Sequence, residues 1–195
     1  MKPIFHSQDQ DLKAFMTDRI QYACGKNVFD GWLNVDGFDV SYPDGSVDAG
    51  MAARIYRMDL SKPHPFPDGS FRFGYAEDFL EHLTQAESLL FLGECARTFM
   101  PGGVLRLSFP GMAGVLKRHF RGRSRADLEK GVHDAYTRWH HAHFYCADSI
   151  RLVATGLGFA SVKVCPYGHS DIPELNNRET RPDQRDLNLV VELVR

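Results

Sequence analysis

Long apolar runs are missing from this sequence. Nothing approaches the roughly 20 consecutive residues needed to cross a bilayer, and the opening MKPIFHSQDQDLKAFM has no apolar core of a secretory leader. A soluble, cytoplasmic chain with no membrane partner is the expectation. Charge of one sign is missing too: 23 Lys and Arg against 25 Asp and Glu leave a net charge of −2. Such a balance gives no field to hold a phosphate polymer, so nucleic acid is not an expected partner. Cysteine is scarce, and Cys24, Cys95, Cys146 and Cys165 include no CxxC pair. That excludes a disulfide framework and a cysteine-based zinc site, and the four read as reduced, mostly core thiols. Repeats and low-complexity linkers are absent as well, so residues 1–195 are read as one domain.

What is present alternates between strand and helix. Ser7 before QDQDLKAFMTD suggests a capped first helix, with Leu12, Phe15 and Met16 at helical spacing. The runs IQYACG, GWLNVDG, ARIYRMDL and SFRFGYA read as strands closed by glycine or acidic punctuation. From Glu77 the period turns helical, first in EDFLEHL and then from Thr84, where Glu87 three residues on completes a capping box. Leu89, Leu92, Cys95, Ala96 and Phe99 form the expected apolar stripe of that second helix, which Pro101, Gly102 and Gly103 end before the strand VLRLSFP. Polar residues 111–145 read as a helical insertion or lid over one face. A helix from about Asp148 to Leu157, the strand SVKVC, an irregular segment and the strand LNLVVELV follow. The expected fold is α/β: a Rossmann-like, doubly wound, mostly parallel sheet with an antiparallel strand near the C-terminus and its ligand at the carboxyl edge. Only KNVFDG separates Gly25 from Trp32, too little for an ordinary crossover, so the first crossover helix is reduced or absent.

The ordered set IQYACG, GWLNVD, MDLSKPHPFPDGSF, YAEDFLEHL, ARTFMPGGVLRLSFP, LVATGLGFASVKV and LNLVVELV resembles class I S-adenosylmethionine-dependent methyltransferases, in the short type-11-like form. The likeness covers about residues 18–110 and 145–195. It implies S-adenosylmethionine as cofactor and methyl transfer to a small molecule, at the oxygen of a sugar, glycan precursor or other hydroxyl-bearing metabolite. It further implies that Ala23, Cys24 and Gly25 approach the methionine part and that Asp36 accepts from the ribose hydroxyls. Asp59 and Leu60 would address the adenine, and Ala76 and Glu77 would lie beside the sulfonium. Lys26 and Asn27 stand where the family has further glycines, and Arg72 stands where it has an acid. A catalytically degenerate module that binds the cofactor for regulation or interaction is the alternative. A nicotinamide enzyme is disfavoured because GxGxxG is absent.

In DFLEH, Asp78, Glu81 and His82 stand at i, i+3 and i+4, and on a helix they share a face that could hold a divalent metal. The pattern is similar to the ExxEH metal motif of some O-methyltransferases. In WHHAHFYC a helix would bring His140 and His143 to one face and turn His141 elsewhere. His82, His119, His140 and His143 are the candidate bases, with His133 behind them. Lys117, Arg118, Arg121, Arg123 and Arg125 read either as a solvated face or as the seat of an anionic acceptor. Trp32 reads as core.

Overall fold

A computed structural model of the chain describes residues 11–37 and 49–195. Among the described residues seven strands form one sheet: β1 (Arg19–Tyr22), β2 (Leu33–Asp36), β3 (Ile55–Arg57), β4 (Phe71–Glu77), β5 (Phe99–Pro110), β6 (Ser161–Cys165) and β7 (Asn188–Val194). Their order is β3-β2-β1-β4-β5-β7-β6. The first five pair in parallel, while β7 runs antiparallel to both β5 and β6. The order reverses between β1 and β4, so a crevice opens at the carboxyl ends of β1, β2 and β4, where doubly wound sheets bind ligands.

The helices are α1 (Ala49–Ala52), α2 (Gln85–Thr98), α3 (Met112–His119), α4 (Arg125–Val132) and α5 (Ala147–Gly156). The predicted capping box opens α2: Glu87 N–H donates to Thr84 Oγ1, and Thr84 N–H donates to Glu87 Oε2 at 2.9 Å. Its buried stripe is the expected one at Leu92, Cys95, Ala96 and Phe99, with Phe91 added and Leu89 exposed. α2 and α5 cover one face of the sheet, with Phe91, Leu92, Cys95, Ile150 and Ala154 against Leu33, Val35, Leu105, Leu107, Val191 and Leu193. Neighbouring strand residues point to opposite faces. Phe73, Tyr75, Val104 and Val194 therefore form a second face, and among the described residues no α-helix contributes to the cluster that covers it. Phe29 and Trp32 from the β1–β2 connection, with Ile172 and Leu175 from the segment before β7, pack on it. Arg178 stacks over both rings, 4.6 Å from the Phe29 centroid and 5.0 Å from that of Trp32. Deeper in this layer Arg106 donates to Glu179 at 2.7 Å and to Glu192 at 2.8 Å, with the arginine fully buried.

No helix stands between Gly25 and Leu33, as the short spacing required. Other expectations are corrected. Ser7 lies outside the described residues, and within them the first predicted helix is one 3-10 turn, Leu12–Ala14, capped by Asp11. EDFLEHL supplies only the 3-10 turn Leu80–His82. Pro101, Gly102 and Gly103 lie inside β5, after a helix that has ended at Thr98, and bulge it against β4. Residues 111–145 form a segment that carries α3 and α4, the latter running into a π-helical turn at His133–Thr137. Its ends meet where Met112 N–H donates to Tyr145 O at 3.0 Å. No helix among the described residues is long and apolar enough to cross a membrane. All four cysteines are free, and Cys146 alone is exposed.

Candidate functional site

β1 ends in a turn that takes the left-handed backbone conformation twice. Ala23 and Gly25 both have positive φ, at 49° and 53°. Cys24 N–H donates to Val35 O at 3.1 Å, and Gly25 N–H donates to the carboxylate of Asp36 at 2.7 Å. The turn after β1 thereby fixes the acid that ends β2, and Asp36 is buried at 5 % exposure. Gly37 lets the chain pass β3 closely, since an added Cβ would stand 3.0 Å from Met58 O. Beyond β3, Asp59 accepts from Ser61 N–H at 2.9 Å and from its hydroxyl at 2.6 Å, both on the same carboxylate oxygen.

Ala23, Asp36, Asp59 and Leu60 come together in a cleft of about 300 Å³, closed opposite by Phe79, His82, Leu83 and Glu87. Four of the eight residues expected to hold the cofactor thus share one chamber. Cys24 and Glu77 face an adjoining recess of about 540 Å³ with Lys26, Asn27 and Arg181. Glu77 is tied down there, accepting from Thr180 N–H at 3.1 Å and from its hydroxyl at 2.7 Å. Burial pushes the Glu77 carboxyl above its ordinary range, against the opposing effect of those bonds. Gly25 acts through Asp36, and Ala76 is buried within β4.

A second chamber of about 400 Å³ opens under the insertion. Asp78, Glu81, His82, Arg118, His119, Arg138, Trp139, His141 and Arg181 are among its walls. His82 lines both chambers and so stands at their junction. The predicted trio of Asp78, Glu81 and His82 does not converge. Asp78 N–H still donates to Ser108 O in the strand register, and its φ of 49° breaks the path into a helix. The Asp78 carboxylate turns instead to Arg181 and to Asn188 Nδ2. Burial raises its pKa, which Asn188 and Arg181 oppose.

His141 takes the place left by Asp78. Ligand atoms of Glu81, His82 and His141 lie within 4.8 Å of one another, and no other such cluster is found among the described residues. The segment is not the predicted helix: His140 has a φ of 57° and is exposed, lining neither chamber. The backbone carbonyl of Glu81 accepts from Ala142 N–H at 2.7 Å and His143 N–H at 3.2 Å, which docks this stretch beside the 3-10 turn. His143 packs against the Tyr145 ring at 4.5 Å and also leaves both chambers. Burial lowers the pKa of His82, and that of His141 to about 4, with His82 adding to the latter. Both are neutral imidazoles at neutral pH. Burial pushes the Glu81 carboxyl well up, and the charge of Asp78 adds to it. His119 stays in the chamber wall, with its pKa lowered by burial.

Of the basic run only Arg118 reaches a chamber. Arg121 caps its own helix at Lys117 O, and Arg125 pairs with Glu129 on the exposed surface. His133 pairs with Asp134 outside. Sequence reasoning missed Phe79, Leu83 and Glu87 as cleft walls and Arg181 as the partner of Asp78. The Thr84–Glu87 box was a usable signal for the first group, since it sets where the chain leaves the end of β4.

No protein-family model matches the sequence, and no curated protein matches it. Solved structures do match. A methyltransferase dependent on S-adenosylmethionine from Mesorhizobium loti superposes with a TM-score of 0.58 at 17% identity, covering 94% of this chain and 95% of that one. One from Archaeoglobus fulgidus gives 0.55 at 13% identity, over 91% and 85%. Phosphoethanolamine N-methyltransferase 2 of Haemonchus contortus, in complex with S-adenosyl-L-methionine, gives 0.55 at 13% identity. That match covers 94% of this chain and 51% of the other, so the present chain spans about half its length.

Proposed function

The chain has the class I S-adenosylmethionine-dependent methyltransferase fold, and on that premise we propose that it moves a methyl group from this cofactor to an oxygen of a small molecule. The observation that carries the reading is the single shared wall: the cleft holding Asp36 and Asp59 and the chamber under the insertion meet at His82.

The residues present suit the cofactor. Asp36 is held at the end of β2 by Gly25 N–H, where a ribose diol would donate to it. Leu60, Phe79 and Leu83 give the cleft an apolar wall for the adenine, beside the Asp59 carboxylate. The missing crossover helix removes an N-terminus that would hold phosphate, and S-adenosylmethionine has none. When bound, the cofactor supplies an electrophilic methyl on sulfur: an O–CH3 bond forms as the S–CH3 bond breaks, its electron pair stays on sulfur, and the hydroxyl proton departs. His82 at the junction and His119 across the chamber are neutral imidazoles able to receive that proton. The walls would hold the acceptor in line, which is most of what this displacement requires. Arg118 and Arg138 in the acceptor chamber, where Arg181 is already paired with Asp78, favour a molecule that also carries an anionic group, such as a phosphorylated sugar.

The test is thermal melting with S-adenosylhomocysteine and, separately, with NAD. At about 100 times its dissociation constant a ligand adds roughly 2.7 kcal/mol. Stabilisation by the first alone is expected, and Asp36→Ala should weaken it roughly 10- to 100-fold through loss of charge-assisted hydrogen bonds. Stabilisation by NAD alone would overturn the reading. The short ACGKN turn favours the rival, a binding module without turnover, and formation of S-adenosylhomocysteine from a pool of hydroxylated metabolites would dismiss it.

A further inference from the structure

We propose that Glu81, His82 and His141 form a divalent-cation site in the wall between the two chambers, and that the ion takes an oxygen of the acceptor as a further ligand. The three residues come from the turn after β4 and from the far end of the insertion, and four observations place them for this task.

First, one carboxylate oxygen and two ring nitrogens stand within 4.8 Å of one another, with Glu81 Oε1 3.9 Å from His82 Nε2. That separation is too long for a hydrogen bond. Ligands about 2.1 Å from a common ion lie about 3.4 Å apart in a tetrahedron, so closure needs movements of the order of 1 Å. The partly exposed imidazoles can supply them. Second, Glu81 is 2 % exposed, and its Oε2 has no hydrogen-bond partner although it stands in the wall of a chamber lined by other charged side chains. A buried carboxylate oxygen without a donor is costly, and a cation would satisfy it.

Third, the tautomer of His141 is fixed. Its Nδ1 stands 2.8 Å from Ala135 O, which can only accept, so Nδ1 carries the hydrogen and Nε2 carries the lone pair. Imidazoles that bind metals are oriented by this kind of bond to a carbonyl. Fourth, the backbone holds the set together, since Glu81 O accepts from both Ala142 N–H and His143 N–H. The His82 and His141 rings are left 5.0 Å apart.

Two imidazoles and one carboxylate favour Mn, Fe(II), Co or Zn over Mg or Ca, which prefer oxygen throughout. Three protein ligands leave positions open, and those positions face a chamber that also meets the cofactor cleft at His82. A hydroxyl on the ion loses its proton more readily, and an acceptor with two neighbouring oxygens would fill two open positions. With His82 engaged, His119 remains in the wall to take the proton. The cation site stands without the proposed reaction, whereas its part in presenting the acceptor rests on that reaction.

The experiment is titration of the chelator-treated full chain with Co²⁺, followed by visible absorption and calorimetry. One Co²⁺ per chain is expected, with affinity at least tenfold weaker in Glu81→Gln and in His141→Gln and within twofold of wild type in the exposed His133→Gln. Proton NMR of the wild-type Co²⁺ complex should show two hyperfine-shifted imidazoles, a readout that needs no variant to fold. Failure of Co²⁺ to bind, affinity unchanged in both ligand variants, or a complex without shifted imidazoles would overturn the site. S-adenosylhomocysteine binding is measured on the same samples: if it fails while Co²⁺ binds, the proposed reaction falls and the cation site remains.

Discussion

His64 makes acid stability a quantitative test of the packing beside the cofactor cleft. It follows Leu60 and Ser61, two of the cleft walls, and its ring is 4 % exposed among Tyr22, Phe66 and Phe91. Burial lowers its pKa from 6.5 to about 4. The charges around it are Glu94, which favours the protonated ring, and Arg97, which opposes it. Both also bond the His64 backbone: its N–H donates to Glu94 Oε2 at 2.6 Å, and its carbonyl accepts from Arg97 at 3.0 Å. A folded pKa below the unfolded one means that the unfolded chain binds the proton first. Stability is therefore full above about pH 6.5, falls as the pH drops toward 4, and is level below that. The whole effect is about 3 kcal/mol, of which about 2 kcal/mol is lost by pH 5. Against a total of roughly 5–15 kcal/mol this is large. Urea unfolding at pH 8 and pH 5 would measure it in wild type and in His64→Phe, whose ring the aromatic surroundings accept. Wild type should lose about 2 kcal/mol more than the variant over this interval, a difference that removes the other titrating groups from the comparison. Glu94 keeps its charge throughout, because Arg97 holds its pKa below the ordinary carboxylate value. Equal losses in the two proteins would refute the buried neutral imidazole.

Two further changes test the insertion and the coil layer. Gly114→Ala would set a Cβ 2.2 Å from Leu187 O, backbone that cannot step aside. It should cost about 1–3 kcal/mol and make residues 111–145 the first site of limited proteolysis, with affinity for S-adenosylhomocysteine unchanged. Arg106→Met leaves Glu179 and Glu192 buried without their cation. It should cost about 3–5 kcal/mol in urea unfolding, and adding Glu179→Gln and Glu192→Gln should restore most of that.

Most of the sheet was legible because strands, turn glycines and terminal acids are local signals: Asp36 and Asp59 stand where the punctuation put them. The short crossover was legible for the same reason, being a matter of chain length. What failed depended on distant partners. Asp78 reads as the first residue of a helical face, but its N–H is claimed by Ser108 and its carboxylate by Arg181 and Asn188, more than 100 residues away. WHHAHFYC has helical spacing, yet only His140 and His141 donate back to the preceding turn, while the N–H groups of Ala142 and His143 go to Glu81. His141 therefore entered the site and His140 left it. In α2 the stripe was legible but for one position: Leu89 is exposed, and Phe91 is buried once the sheet decides which side faces in.

The coil that replaces a helical layer has a consequence for the order of events during synthesis. The strands around the cofactor cleft, β1 and β4, come from the first half of the chain. The cover for Phe29, Trp32 and Tyr75 comes from Ile172, Leu175 and Arg178. Until the ribosome has released those residues, one side of the nascent sheet remains uncovered and the Glu77 and Asp78 carboxylates lack their partners. Contacts this distant in sequence slow folding and prolong exposure of aromatic surface. The recess at Glu77 would therefore be complete only once Thr180 and Arg181 have emerged, and a nascent chain halted at Cys165 should be held by chaperones.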